Sequence, residues 1–75
     1  MSKTTLDLKG LSCPLPVLRA NKAVKRMNPG DLLEVFVTDA DAPKDFEAYC
    51  EAAGHELVEC REEGGFTALV LRLKR

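Results

Sequence analysis

The chain has 75 residues, 45% of them apolar and 31% charged, with a formal net charge of −1. This excludes a disordered chain, which lacks apolar residues, and a helical membrane span, which needs ~18 or more of them in a row. It also argues against direct binding to a nucleic-acid backbone, which calls for an excess of positive charge. A chain of this length makes a single domain, residues 1–75, exposing roughly 4,500 Å² when folded. It has no core to spare for lining a deep cofactor or substrate cavity, so function is expected on the surface.

Gly and Pro divide the chain, and between them the spacing of apolar residues alternates between two and three-to-four. Residues 4–8 alternate, with Leu6 and Leu8 on one side, and predict a strand. Residues 14–28 carry Val17, Ala20, Val24 and Met27 at helical spacing, and Asn28-Pro29-Gly30 ends that helix. Residues 32–38 alternate again, with Leu33, Val35 and Val37 facing one way. A second helix follows, with Asp41 as its expected N-cap, Pro43 in its first turn, Phe46, Tyr49, Cys50 and Ala53 facing the core, and Gly54 as its stop. Residues 55–62 and 66–73 read as strands joined through Glu63-Gly64-Gly65. The order is strand, helix, strand, helix, strand, strand. A strand–helix–strand start implies parallel pairing by a right-handed crossover, and the short last connection implies an antiparallel pair. The expected fold class is α+β: a two-layer βαβαββ sandwich in which a four-stranded mixed sheet carries both helices on one face. Phe36 and Val70 are expected on the other, open face.

The chemistry is concentrated in Gly10-Leu11-Ser12-Cys13-Pro14-Leu15-Pro16-Val17. Proline suits a first helical turn, because its missing N–H would have no partner there, so Pro14 and Pro16 fix where the helix begins. Gly10 permits the preceding turn. Cys13 then falls at the N-cap or immediately before N1, where its sulfur would meet the free N–H of Leu15 and the positive end of the helix dipole. Thiols at helix N-termini ionise well below the ~8.5 of free cysteine, and Lys9 and Arg19 would add to the effect. The expectation is a thiolate at neutral pH, the species that attacks sulfur and holds it as a persulfide.

The remaining candidates have structural explanations. Cys50 lies on the apolar helix stripe and Cys60 alternates with Val58, so both are expected to pack. Cys13, Cys50, Cys60 and His55 lack the close pair spacing of a zinc site, and no Cys-x-x-Cys pair is present, so neither a metal nor another cofactor is expected. His55, the single histidine, reads as a surface or strand-start residue. Asp39, Asp41 and Asp45 gather at the start of the second helix, where carboxylates favour the dipole. An odd number of cysteines and an N-terminus without an apolar run suggest a cytoplasmic protein with reduced thiols.

Leu6-Asp7 followed by the Cys-Pro-x-Pro segment, with Pro29-Gly30-Asp31, Thr38-Asp39, Asp45 and Gly54-His55, resembles the TusA/SirA/YedF family of small sulfur-carrier proteins along essentially the whole chain. The resemblance implies the same two-layer fold. It also implies that Cys13 accepts a sulfane sulfur from a donor such as a cysteine desulfurase or a rhodanese-like protein. An acceptor protein, DsrE/TusD-like or other, would take the sulfur on toward tRNA thiolation, cofactor maturation or sulfur oxidation. The position between the prolines, acidic in some tRNA-thiolating members, is Leu15 here. Lys9, Arg19 and Lys22 would supply a basic docking rim. The competing reading is a noncatalytic interaction or regulatory module that uses the open sheet face.

Overall fold

The computed structural model describes residues 2–74. In chain order it contains β1 (Lys3–Asp7), α1 (Leu15–Val24), β2 (Leu32–Val37), α2 (Ala42–Ala53), β3 (Glu56–Glu63) and β4 (Phe66–Arg72). The sheet order is β1-β2-β4-β3. β1 runs parallel to β2, with Leu6 opposite Val35, while β4 pairs antiparallel with both β2 and β3. The α+β class and the mixed sheet are those expected from the sequence.

The alternation in β2 and β4 builds the layer boundary. Leu33, Val35, Val37, Leu69 and Leu71 are all essentially inaccessible and pack against Ala20 of α1 and Phe46 and Cys50 of α2. At ~1.5–3 kcal/mol for each large side chain removed from water, this cluster is the principal support of the fold. Ala20 admits α1 closely because it carries only a methyl group. α1 ends earlier than its stripe, at Val24, and single-turn hydrogen bonds from Arg26 to Ala23 and from Met27 to Val24 carry Met27 on to the core. Gly54 closes α2 at φ +80°, a conformation that costs L-residues with a Cβ about 1–2 kcal/mol.

The opposite face is not an open apolar surface. Glu34, itself buried, meets Lys3 at 3.4 Å and Arg61 at 3.4 Å, and Arg61 also reaches Glu59 and Glu63. Phe36 stacks edge-on against Phe66, with ring centroids 5.1 Å apart, and Lys9 Nζ lies 4.8 Å from the Phe66 centroid. Val70, expected to project freely, is buried among these neighbours. The ion pairs and rings cover the apolar side chains of this face, so what it presents to solvent is largely charged.

β3 departs from the expected pattern. Its pairing with β4 shifts between Leu57 and Glu59, so Val58 is the extra residue of a bulge and the alternation resets after it. Cys60 therefore shares neither a face nor burial with a packed Val58. Both are exposed, because the helices do not extend over the end of the β3–β4 hairpin.

Candidate functional site

Adjacent parallel strands deliver their following loops to the same end of the sheet. Here β1 and β2 bring the Lys9–Pro14 segment beside the Thr38–Asp41 segment. Two hydrogen bonds fasten them together: Gly10 N–H donates to Thr38 Oγ1 at 2.8 Å, and Cys13 N–H donates to Asp39 Oδ2 at 2.6 Å. The other Asp39 oxygen accepts Asp41 N–H at 3.0 Å. One carboxylate thus ties the cysteine loop to the start of α2. These two amide donors hold its pKa below the usual carboxylate value, Asp41 more strongly than Cys13. Gly10 makes the approach possible at φ +85°, where a Cβ would strain the backbone.

Cys13 lies outside the helix. The N-cap is Pro14, and the Cys13–Pro14 peptide is cis. The N–H of Leu15, expected to meet the sulfur, donates instead to the carbonyl of Ser12 at 2.8 Å. Pro16 is buried and anchors the first turn of α1, as its place in the motif suggested. The thiol is exposed, on the rim of a shallow concavity of about 360 Å³ between α1 and α2 that is lined by Cys13, Pro14, Val17, Asp45, Ala48 and Tyr49. Tyr49 is fixed there by donating its hydroxyl hydrogen to Asn21 Oδ1 at 3.1 Å. Leu15 and Leu18 stand exposed on the outer side of α1.

The electrostatic expectation is overturned. The Cys13 thiol is pushed up to about 11, first by hydrogen bonding to the Asp45 side chain, then by desolvation and the negative charges of Asp45, Asp39 and Asp41. The carboxylates read as helix caps bring negative charge to the neighbourhood of the sulfur, and the Leu15 amide expected to oppose it is already taken. Nor is Asp41 a capping side chain: it makes no cap hydrogen bond, and Asp39 holds its N–H. Lys9, expected to help ionise the thiol, is over the Phe66 ring on the other face of the sheet. Arg19 and Lys22 gather with Arg26 along α1 around a shallow groove, away from the concavity that contains Cys13.

Asp39, Asp45 and Tyr49 were not identified as site residues from the sequence. Two signals pointed to them: the parallel β1–β2 pairing that juxtaposes the two loops, and the four-residue spacing of Asp41, Asp45 and Tyr49 along one face of α2. The other two cysteines play no part in the concavity. Cys50 is buried in the core, which raises its thiol to about 11, and Cys60 lies in a separate groove beside Glu62 and Thr67. His55 sits against Tyr49, with ring centroids 6.0 Å apart, and its Nδ1 accepts the N–H of Lys74 at 3.3 Å.

The site is an exposed cysteine on a proline-fixed loop of a small α+β sandwich, a form suited to a carrier protein. The comparisons agree. The family described as "Sulfurtransferase TusA" matches residues 4–73. A protein of Neisseria meningitidis serogroup A is 50% identical over 74 residues, covering 99% of this chain and all of its own. The sulfur carrier protein TusA of Allochromatium vinosum is 50% identical over 60 residues, 80% of this chain and 79% of that one. The crystal structure of a SirA-like protein from Desulfitobacterium hafniense superposes with a TM-score of 0.83 over 100% of both chains at 25% identity. The chain belongs to the TusA family, and its function is that of a sulfur carrier.

Proposed function

We propose that Cys13 is the atom-bearing residue of this carrier, accepting a sulfane sulfur from a donor protein and passing it to an acceptor protein. The observation that carries the reading is the exposed Cys13 thiol on a backbone held by Asp39, at the rim of an open concavity. A site of this shape is complementary to another protein's surface. The sulfur of Cys13 attacks the terminal sulfur of the donor's persulfide, the donor's S–S bond breaks, and the donor leaves as a thiol. Delivery is the same exchange in reverse, with the acceptor's thiol attacking.

The donor is a protein that forms a cysteine persulfide, of cysteine-desulfurase or rhodanese-like type, and the acceptor is a second thiol protein such as one of DsrE/TusD-like type. Exposed Leu15 and Leu18 offer such partners an apolar contact on α1 close in sequence to the cysteine, with Arg19 and Lys22 as charged neighbours. A cytoplasmic setting, where thiols stay reduced, suits this chemistry. No helix among the described residues is long and apolar enough to cross a membrane.

The test is incubation with a cysteine desulfurase and cysteine, followed by intact mass. The expected result is a gain of one sulfur atom that is lost on reduction, absent in Cys13→Ser and retained in Cys60→Ser. The second variant is needed because Cys60 is also exposed. Sulfur retained by Cys13→Ser would overturn the assignment.

A further inference from the structure

The sheet ends at β1 on one side and β3 on the other, and the two edges are finished differently. β3 is blunted by the bulge at Val58 and by Arg61, whose side chain is held along the strand by Glu59 and Glu63. β1, Lys-Thr-Thr-Leu-Asp, pairs with β2 in an unbroken register and contains no proline, glycine or bulge. Hydrogen bonds just beyond its ends fix which way its backbone groups point. Leu8 N–H donates to the Phe36 carbonyl and Leu32 N–H to the Ser2 carbonyl, each at 2.8 Å. The even-numbered residues thus turn their N–H and C=O groups toward β2. Those of Lys3, Thr5 and Asp7 point out of the sheet, because successive residues alternate sides. This unpaired row is a template for another strand.

The residues of the row select that strand. Laid antiparallel on a second copy of itself about Thr5, β1 sets Thr5 against Thr5, Thr4 against Leu6, and Lys3 against Asp7 at both ends. The outward-pointing residues then fall at the positions that exchange both N–H···O bonds, roughly six bonds in all. Opposite charges meet directly across the strands, which is favourable, and sliding the copies by two residues separates both pairs. Lys3 is half-exposed beside Glu34, with room for a second carboxylate, and Asp7 commits only Oδ1 to the N–H of Lys9.

We propose that β1 is a dimer edge. Two copies of this chain join β1 to β1, antiparallel and centred on Thr5, into one sheet of order β3-β4-β2-β1-β1-β2-β4-β3. The two-fold axis is perpendicular to the sheet, so both helical layers lie on the same side. The cysteine loops, which follow β1, lie at opposite ends of the joined strands, so each Cys13 stays accessible. The dimer does not depend on the reading that Cys13 carries sulfur. One short strand from each copy makes a contact smaller than a permanent interface, and the dimer is reversible, with Kd on the order of 100 µM.

Sedimentation velocity of the intact protein, from about tenfold below to about fivefold above that Kd, tests the proposal. The native chain is expected to pass from monomer to dimer. Over the same range amide hydrogen exchange at Lys3, Thr5 and Asp7 is expected to slow about threefold, while Thr4 and Leu6, already bonded to β2, do not change. Thr5→Pro removes an outward N–H, a change tolerated at an edge, and is expected to abolish the dimer in a chain that still folds. Lys3→Glu and Asp7→Lys each set like charges against one another and are expected to weaken self-association about tenfold. Mixed in equal amounts, these two variants oppose unlike charges at both ends again, and a mixed dimer of native affinity is expected.

A native chain that stays monomeric throughout overturns the proposal whether or not any variant folds, and leaves the edge to another protein's strand or to solvent. Protection of amides other than those of Lys3, Thr5 and Asp7 overturns it too. So does a folded Thr5→Pro that dimerises like the native chain, or a mixture that associates no more tightly than either charge variant alone.

Discussion

Phe46 and Leu18 are both large apolar helix residues, and the structure assigns them opposite jobs. Phe46 is fully buried at the centre of the cluster formed by α2 and the sheet, whereas Leu18 is 56% exposed on the outer side of α1. Truncating a buried phenylalanine costs about 3–5 kcal/mol, the sum of lost transfer energy and a cavity that this packed layer cannot fully close. Domains retain only ~0.05–0.15 kcal/mol per residue, or about 4–11 kcal/mol for a chain this long. Phe46→Ala therefore removes about a quarter or more of the stability and lowers Tm by roughly 12–40 °C, at about 4–8 °C per kcal/mol. Leu18→Ala gives up less than half a side chain's burial and gains helix propensity, so its unfolding free energy should stay within about 1 kcal/mol of native. Its effect should appear in loading: a several-fold slower gain of sulfur from a persulfide donor, with the alkylation rate of Cys13 unchanged. Urea unfolding followed by far-UV circular dichroism, with timed intact-mass measurements of loading, separates the two. The reasoning fails if Phe46→Ala costs less than about 1 kcal/mol, or if Leu18→Ala loads at the native rate.

The remaining expectations concern the clasp, the acid limb and the helix stop. Asp39→Ala frees the cysteine loop, and amide hydrogen exchange at Cys13 should accelerate while exchange in the β2–β4 core stays unchanged; equal protection in the variant would contradict the clasp. Asp31, buried, has its pKa lowered by the N–H groups of Asn28 and Ser2, and Asp39 by those of Asp41 and Cys13. Because their folded pKa values lie below the ~3.9 of an unfolded Asp, the stability they contribute is fully present above that value and is lost as pH falls through the folded ones. Asp31→Asn should accordingly flatten the decline of stability in acid, and a steeper decline would refute the assignment. Gly54→Ala forces a Cβ into φ +80° at the end of α2 and should cost about 1–2 kcal/mol in urea unfolding, where a neutral result would place the helix stop elsewhere.

The framework was legible in the sequence because strong local signals agreed with one another. Leu33, Val35 and Val37 alternate across a boundary that is dry on the helix side, and every one of them is buried. Pro43 and Gly54 bracket α2 as their backbone preferences dictate, and Gly65, at φ +95°, turns the β3–β4 hairpin. What was not legible depended on one residue more or less, or on charges meeting across the chain. The bulge at Val58 adds a single residue to β3, which no periodicity in so short a strand reveals, and Cys60, reset by it to pair with Leu69, is exposed because the helices stop short of it. The roof over the sheet joins Lys3, Glu34 and Arg61, which are far apart in sequence and look like ordinary surface charges until the register pairs their strands.

The misreading at Cys13 has the same origin. Position near the start of a helix is a local property and was read to within one residue, Pro14 taking the N-cap expected of Cys13; the sign of the field at the sulfur is not local. It is set by the β2–α2 loop, because Asp39 must reach Cys13 N–H to hold the loop and Asp45 lies on the face of α2 turned toward α1. A clasp that fixes the backbone of the cysteine thus brings negative charge to its side chain. Rigid presentation and ready ionisation therefore oppose each other within this single small domain.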